Sequence, residues 1–277
     1  MKPKLTETLL HKWLRVPHQL HYEILAAPKK PRATLILVHG IGSSTAMWNE
    51  VAKSLPPDTR IIAVDLLGFG HSPQPLWTEY SLTTQARAMH RTLKRLRLKG
   101  PLYLAGHSLG SLVVTEYAHR YPRGISQLFL ISPPLYTHAD GSGNGRLSKS
   151  HEQRLRTIYR SLINSPERTQ RALKIAKSTY GRINKTEFSN QINITTYLAT
   201  LDRSIINQDV IRHLESLLIP TTIIRGTRDL LVIKKNIDEI IDTNPRVTHL
   251  IVPNGGHNVV GVMRREVIRI ISGAVSL

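Results

Sequence analysis

Gly106-His107-Ser108-Leu109-Gly110 constrains this chain more than any other stretch. It follows the apolar run Pro101-Leu102-Tyr103-Leu104-Ala105 and precedes a helical pattern, Ser111 to Ala118. A serine between glycines, at the junction of a buried strand and a helix, marks a sharp nucleophile elbow. Small residues two positions either side of the serine let strand and helix approach closely. The hydroxyl is then held out at the top of a sheet. Ser108 is the expected nucleophile.

An activated serine needs a base, and the base needs an orienting acid. Ile219 to Ile224 reads as a buried strand that runs into Arg225-Gly226-Thr227-Arg228-Asp229. His249 to Pro253 reads as another, leading into Asn254-Gly255-Gly256-His257. Asp229 and His257 therefore both follow strand ends. The strand read before these, Gln127 to Ile131, runs into Ser132-Pro133-Pro134 and offers no carboxylate. Upstream, Thr34 to Val38 ends in His39-Gly40-Ile41-Gly42, and Arg60 to Val64 ends in Asp65 to Ser72.

The order Ser108, Asp229, His257, together with His39-Gly40, Asp65 to Ser72 and Gly226 to Asp229, resembles the α/β-hydrolase superfamily in its lid-bearing esterase and lipase-like branch. The resemblance covers roughly Leu20 to Met263, with a gap over the middle segment. It implies an α/β fold: a mostly parallel eight-stranded sheet with helices on both faces and an inserted helical cap. It implies hydrolysis of a carboxylic ester through an acyl-enzyme, with Ser108, Asp229 and His257 as catalytic residues and no cofactor. The backbone N–H groups of Ile41 and Leu109 are then the expected oxyanion hole. His39 is expected to hold the oxyanion loop, and Asp65 and Ser72 to be structural. Hydrolysis of carbon–carbon bonds in diketones, thioester or lactone hydrolysis, and acyl transfer use the same constellation and stay open. So does a non-enzymatic reading, a cationic protein that binds lipid or polyanions.

Strands and helical patterns alternate from Leu20 to about Leu130, with one helix over Ser81 to Leu96. The alternation then fails. Asp140 to Gly145 reads as a flexible linker. Helical patterns follow over Leu147 to Ile163, from Ser165-Pro166-Glu167 onward, and over Thr186 to Leu201. The expected division is a hydrolase core over residues 1–133 and 205–277 and a cap over residues 134–204. Trp48, Leu135, Ile158, Tyr159 and Leu162 are expected to wall the substrate pocket.

Composition adds two constraints. The 277 residues contain no cysteine, which excludes disulfides and a thiolate nucleophile. No His, Asp and Glu cluster has metal-ligand spacing on one helix, so no metal is expected. The 38 Lys and Arg against 19 Asp and Glu give +19, with a concentration of Lys and Arg from Arg146 to Lys185. Such a field attracts an anionic substrate or an anionic membrane surface. Nucleic acid is disfavoured, because no basic run interleaves with aromatics. The start lacks an apolar h-region, and no stretch approaches a bilayer span, so a cytoplasmic protein is expected.

Overall fold

The structure, a computed structural model, describes residues 5–137, 146–180 and 192–276. The linker read at 140–145, and the start of the helix read at Thr186, lie outside the described residues.

Seven strands form one sheet: β1 (Tyr22–Ala26), β2 (Ala33–Val38), β3 (Thr59–Val64), β4 (Leu102–His107), β5 (Ile125–Ile131), β6 (Thr221–Gly226) and β7 (Val247–Val252). Their order is β1-β3-β2-β4-β5-β6-β7. All pairs are parallel except β1 with β3. The expected eighth strand is absent among the described residues. The chain before Tyr22 forms helical turns over residues 5–13 and then runs without strand structure past Pro17. Proline has no N–H to give to a ladder, and β1 is left as the sheet edge.

The helices are α1 (Leu82–Arg95), α2 (Leu109–Arg120), α3 (Arg146–Asn164), α4 (Pro166–Tyr180), α5 (Ile194–Thr200), α6 (Val210–Ser216), α7 (Lys234–Thr243) and α8 (Gly261–Val275), besides short turns. They cover both faces of the sheet. The two-residue strand period divides β2 between two cores: Ile36 and Val38 join one, Leu35 and Leu37 the other. The first core takes Leu82 and Met89 of α1, Leu112 of α2 and Ile237 of α7. The second takes Trp48 with Met263, Val267 and Ile271 of α8. The parallel strands are apolar throughout because both faces are covered.

Helices α3, α4 and α5 fall between β5 and β6. A buried ion pair ties α3 to the sheet side of the molecule. Arg156 pairs with Glu152, one turn earlier, and donates to the Thr137 and Ile206 carbonyls. Glu152 also accepts from the Thr137 N–H and the Asn236 amide of α7. Arg154, Arg160, Arg168, Arg171 and Lys174 are exposed, as the solvated faces of amphipathic helices should be. The side chains of Arg146, Lys149, Lys177, Arg182 and Lys185 lie outside the described residues.

Glu116 of α2 performs a similar joining role beneath the site. It accepts from Thr83 of α1 at 2.8 Å and from Arg120, and lies 3.1 Å from His213 of α6. Burial raises its carboxyl pKa, but His213, Arg120 and Thr83 outweigh that and bring it down to about 2. A carboxylate depressed in the fold contributes stability above its unfolded pKa and loses it as pH falls toward the folded value. Glu116→Gln is therefore expected to lower the melting temperature by several degrees at pH 7. The gap to wild type should narrow as pH falls from the ordinary glutamate range toward about 2, and calorimetric melts across that range measure it.

Candidate active site

Ser108 lies between the end of β4 and the start of α2. Its φ of 51° is left-handed, a costly conformation for a residue with a Cβ. The neighbouring glycines make the turn sterically possible. A Cβ on Gly106 would sit 2.2 Å from the Gly110 carbonyl oxygen, and one on Gly110 would sit 2.3 Å from the Val38 carbonyl oxygen. The turn is pinned by the Ser108 N–H donating to the Ile131 carbonyl at 2.9 Å. Ser108 ends 7% exposed at the floor of a cavity.

Asp229 and His257 follow β6 and β7, the two neighbouring strands at one side of the sheet. Their loops are laced together. Thr227 N–H donates to Val252, Arg228 N–H donates to Gly255, and the Asn254 N–H donates to the Thr227 hydroxyl. A Cβ on Gly226 would lie 2.2 Å from the Gly255 carbonyl oxygen, so this approach requires glycine there. The result brings all three expected residues together. His257 Nε2 is 3.0 Å from Ser108 Oγ, and His257 Nδ1 is 3.0 Å from each Asp229 carboxylate oxygen.

The electrostatics follow from burial. Desolvation raises the Asp229 carboxyl pKa, but its bonds with His257 and the Leu231 N–H outweigh it and hold the group below its ordinary value. A carboxylate at Nδ1 keeps that proton on Nδ1 and leaves Nε2 with a lone pair toward Ser108. His107 is buried, and desolvation lowers its pKa to about 3. It is neutral and donates Nε2–H to the His257 carbonyl at 2.9 Å, which anchors the backbone of that loop to the elbow.

The loop after β2 is equally well held. His39 is fully buried, and desolvation lowers its pKa. As a neutral ring it donates Nδ1–H to the Gly40 carbonyl at 2.7 Å and accepts the Leu66 N–H at 2.9 Å on Nε2. Asp65 accepts the Thr45 N–H at 2.7 Å, and the Ser72 hydroxyl donates to the Asp65 carbonyl. Gly40 and Ile41 thereby line the same cavity as Ser108. Leu109 is the first residue of α2, so its N–H has no intrahelical acceptor.

The cavity holds about 240 Å³. Tyr159 of α3 lines it, as expected, together with Met47, Tyr197, Leu201, Ile205 and Leu231, which sequence patterning did not single out. The other expected wall residues lie elsewhere. Ile158 is 53% exposed, because the helical turn that points Tyr159 inward points its neighbour out. Trp48 is buried in the core on the opposite face of the sheet, and Leu135 in the core on the near face. Leu162 packs on that near core rather than on the cavity. Tyr159 also reaches the acid loop: its hydroxyl is 3.1 Å from that of Tyr136, which donates to the Leu231 carbonyl.

Comparison with known proteins bears on the fold that carries this site. The probable lysophospholipase BODYGUARD 2 of Arabidopsis thaliana is 34% identical over 114 residues, 39% of this chain and 24% of its own length. The chain thus spans about a quarter of that relative. Lipase 1 of Psychrobacter immobilis is 25% identical over 239 residues, 80% of this chain and 70% of its own. An esterase from Exiguobacterium antarcticum superposes with a TM-score of 0.76 at 18% identity, covering 93% of this chain and 96% of that one. The family model for the alpha/beta hydrolase fold matches residues 33–262. The chain is a member of the alpha/beta hydrolase fold family.

Proposed function

We propose that this protein is a serine esterase that hydrolyses carboxylic esters of small molecules. The observation that carries the reading is the hydrogen-bonded line from Ser108 through His257 to Asp229. Ser108 Oγ attacks the ester carbonyl while His257 Nε2 takes its proton. Asp229 holds the imidazole tautomer and stabilises the imidazolium. The N–H groups of Ile41 and Leu109 stabilise the oxyanion, and they need no reorganisation to do so. The positive end of α2 adds to that field. His257 returns the proton to the leaving alcohol. It then activates a water that releases the acid and frees Ser108. No step requires a cofactor.

Residues 134–204 serve in this reading as a cap over a core of residues 1–133 and 205–277. Tyr159, Tyr197 and Leu201 give the cavity an apolar upper wall from that segment, and Ile205 extends it from the first residue of the returning core. Lipase and lysophospholipase relatives support an ester as the scissile bond. The exposed cations of α3 and α4 favour an anionic substrate, or an anionic surface that presents it. Among the described residues no helix is long and apolar enough to cross a membrane.

A p-nitrophenyl ester series tests both parts of this reading. Purified protein should release p-nitrophenolate from neutral acyl esters and from the anionic p-nitrophenyl hydrogen succinate. Exposed charges are screened within a Debye length, about 8 Å at physiological salt. Added salt should therefore lower kcat/KM for the succinate ester and leave the neutral esters unchanged. No release from any member would sink the esterase reading. Parallel salt profiles would sink the electrostatic one alone.

A further inference from the structure

A second group of chemistry-bearing side chains lies at the sheet edge, outside the cavity. Glu23 is the second residue of β1, and His21 precedes it by two positions. That spacing sends both side chains to one face of an extended chain. His71 reaches the same place from the loop after β3. Asp65, fully buried, gathers the group: its carboxylate accepts the His71 N–H at 2.9 Å and a bond from His21 Nδ1 at 2.9 Å. The His21 and His71 rings meet edge to face, with centroids 4.9 Å apart. One donor atom from each of His21, Glu23 and His71 lies within 4.8 Å of the other two.

We propose that His21, Glu23 and His71 form a surface site for a divalent transition-metal ion of the zinc type. Two imidazole nitrogens and one carboxylate oxygen suit zinc, whereas magnesium and calcium prefer oxygen ligands alone. Three protein ligands leave a fourth position for water. The site also has the surroundings such a metal requires. A ligating histidine donates its other N–H to a carboxylate, which fixes the tautomer and the ring. His21 does this through Nδ1–H to Asp65, which leaves the Nε2 lone pair for the metal. Glu23 is oriented by the Thr45 hydroxyl, which donates to one of its oxygens at 2.9 Å and leaves the second oxygen open.

Bonds of about 2.1 Å in a tetrahedral centre place donors roughly 3.4 Å apart. The three donors must therefore draw in, and His71 is the part able to move, since its side chain is 78% exposed. That exposure is also the entry path. A bound ion would fasten β1 to the loop after β3. Through Asp65 and Thr45 it would also brace the loop that carries Gly40 and Ile41. Sequence spacing could not reveal the site, because His71 is distant from His21 and Glu23 along the chain.

The test is calorimetric titration of Zn2+ into untagged protein, stripped with EDTA and dialysed, at pH 7.5. One equivalent should bind. His71→Ala and Glu23→Gln should each weaken binding about tenfold or more. His119→Ala, in the separate stacked pair His119–His213, should bind as wild type does. Lowering the pH to 5.5 should weaken binding, since ligating imidazoles must be unprotonated. Zn2+ should raise the melting temperature of wild type more than that of His71→Ala at the same concentration. Wild-type protein that takes up no Zn2+ would overturn the proposal, as would equal affinity in the His71 and Glu23 variants. Loss of binding in His119→Ala would place the ion elsewhere and overturn it too.

Discussion

Ser108→Ala is expected to remove ester turnover, by about 10⁶-fold in kcat, as loss of a serine nucleophile does in a triad enzyme. The protein should fold and melt as wild type does. The reason lies in how the elbow is held. Its φ of 51° is imposed by the approach of β4, α2 and the Val38 carbonyl, and alanine suffers the same strain as serine. The main-chain bonds at this position, from the Ser108 N–H to Ile131 and from the Ser111 N–H to the Ser108 carbonyl, survive the change. The hydroxyl contributes the bond with His257 Nε2, which is a catalytic contact in the proposed mechanism. A fluorophosphonate probe followed by peptide mass spectrometry should place the label on Ser108 in wild type and find none in the alanine variant. Label on another serine, or an alanine variant with wild-type kcat, would overturn the nucleophile assignment. The cavity residues around it would then need another chemistry.

The elbow was legible because its requirement is steric and local. Only glycine fits at 106 and 110, and both the strand before and the helix after can be read from hydrophobic pattern. Asp229 and His257 were legible for a different reason. Parallel strands present their following loops at one edge of the sheet, so a carboxylate after β6 and a histidine after β7 arrive side by side. What the pattern could not resolve was rotation and depth. The apolar stripe of α3 predicts a helix, yet Ile158 and Tyr159 are neighbours in sequence and only one can face the cavity. Trp48 follows the Gly40–Ile41 loop in sequence, but the short helical turn there carries it beneath the sheet into the α8 core. Tyr197 and Leu201 sit in a segment whose helix was readable but whose face was not, because its orientation depends on contacts with Tyr80 and the core, and Ile205 lies just beyond it. The strand count failed at the sheet edge, where nothing downstream demands a further partner for β1.

Asp229→Asn is expected to lower kcat by about 10⁴-fold, the scale set by the equivalent change in a serine protease, with little effect on KM. The amide keeps the shape of the side chain, and its oxygen can still accept the Leu231 N–H now bound at 3.0 Å. What changes is the partner it offers His257. Both carboxylate oxygens lie 3.0 Å from Nδ1, and a carboxylate can only accept there. With Leu231 keeping the amide oxygen, the amide NH₂ faces Nδ1 and donates to it. The ring proton then moves to Nε2, and the lone pair that should receive the Ser108 proton is gone. The imidazolium that forms during attack also loses its counter-charge. Asp202 and Asp209, neither of which lines the cavity, provide the control. Asn at either position should leave kcat unchanged, since Asp202 makes its contacts with Asn207 and Arg203 at the surface. Stopped-flow measurement of the acyl-enzyme burst separates the steps. Acylation and deacylation should both slow in Asp229→Asn, because His257 serves as base in each. A variant that folds, keeps wild-type burst and steady-state rates, and still binds substrate would remove Asp229 from the mechanism.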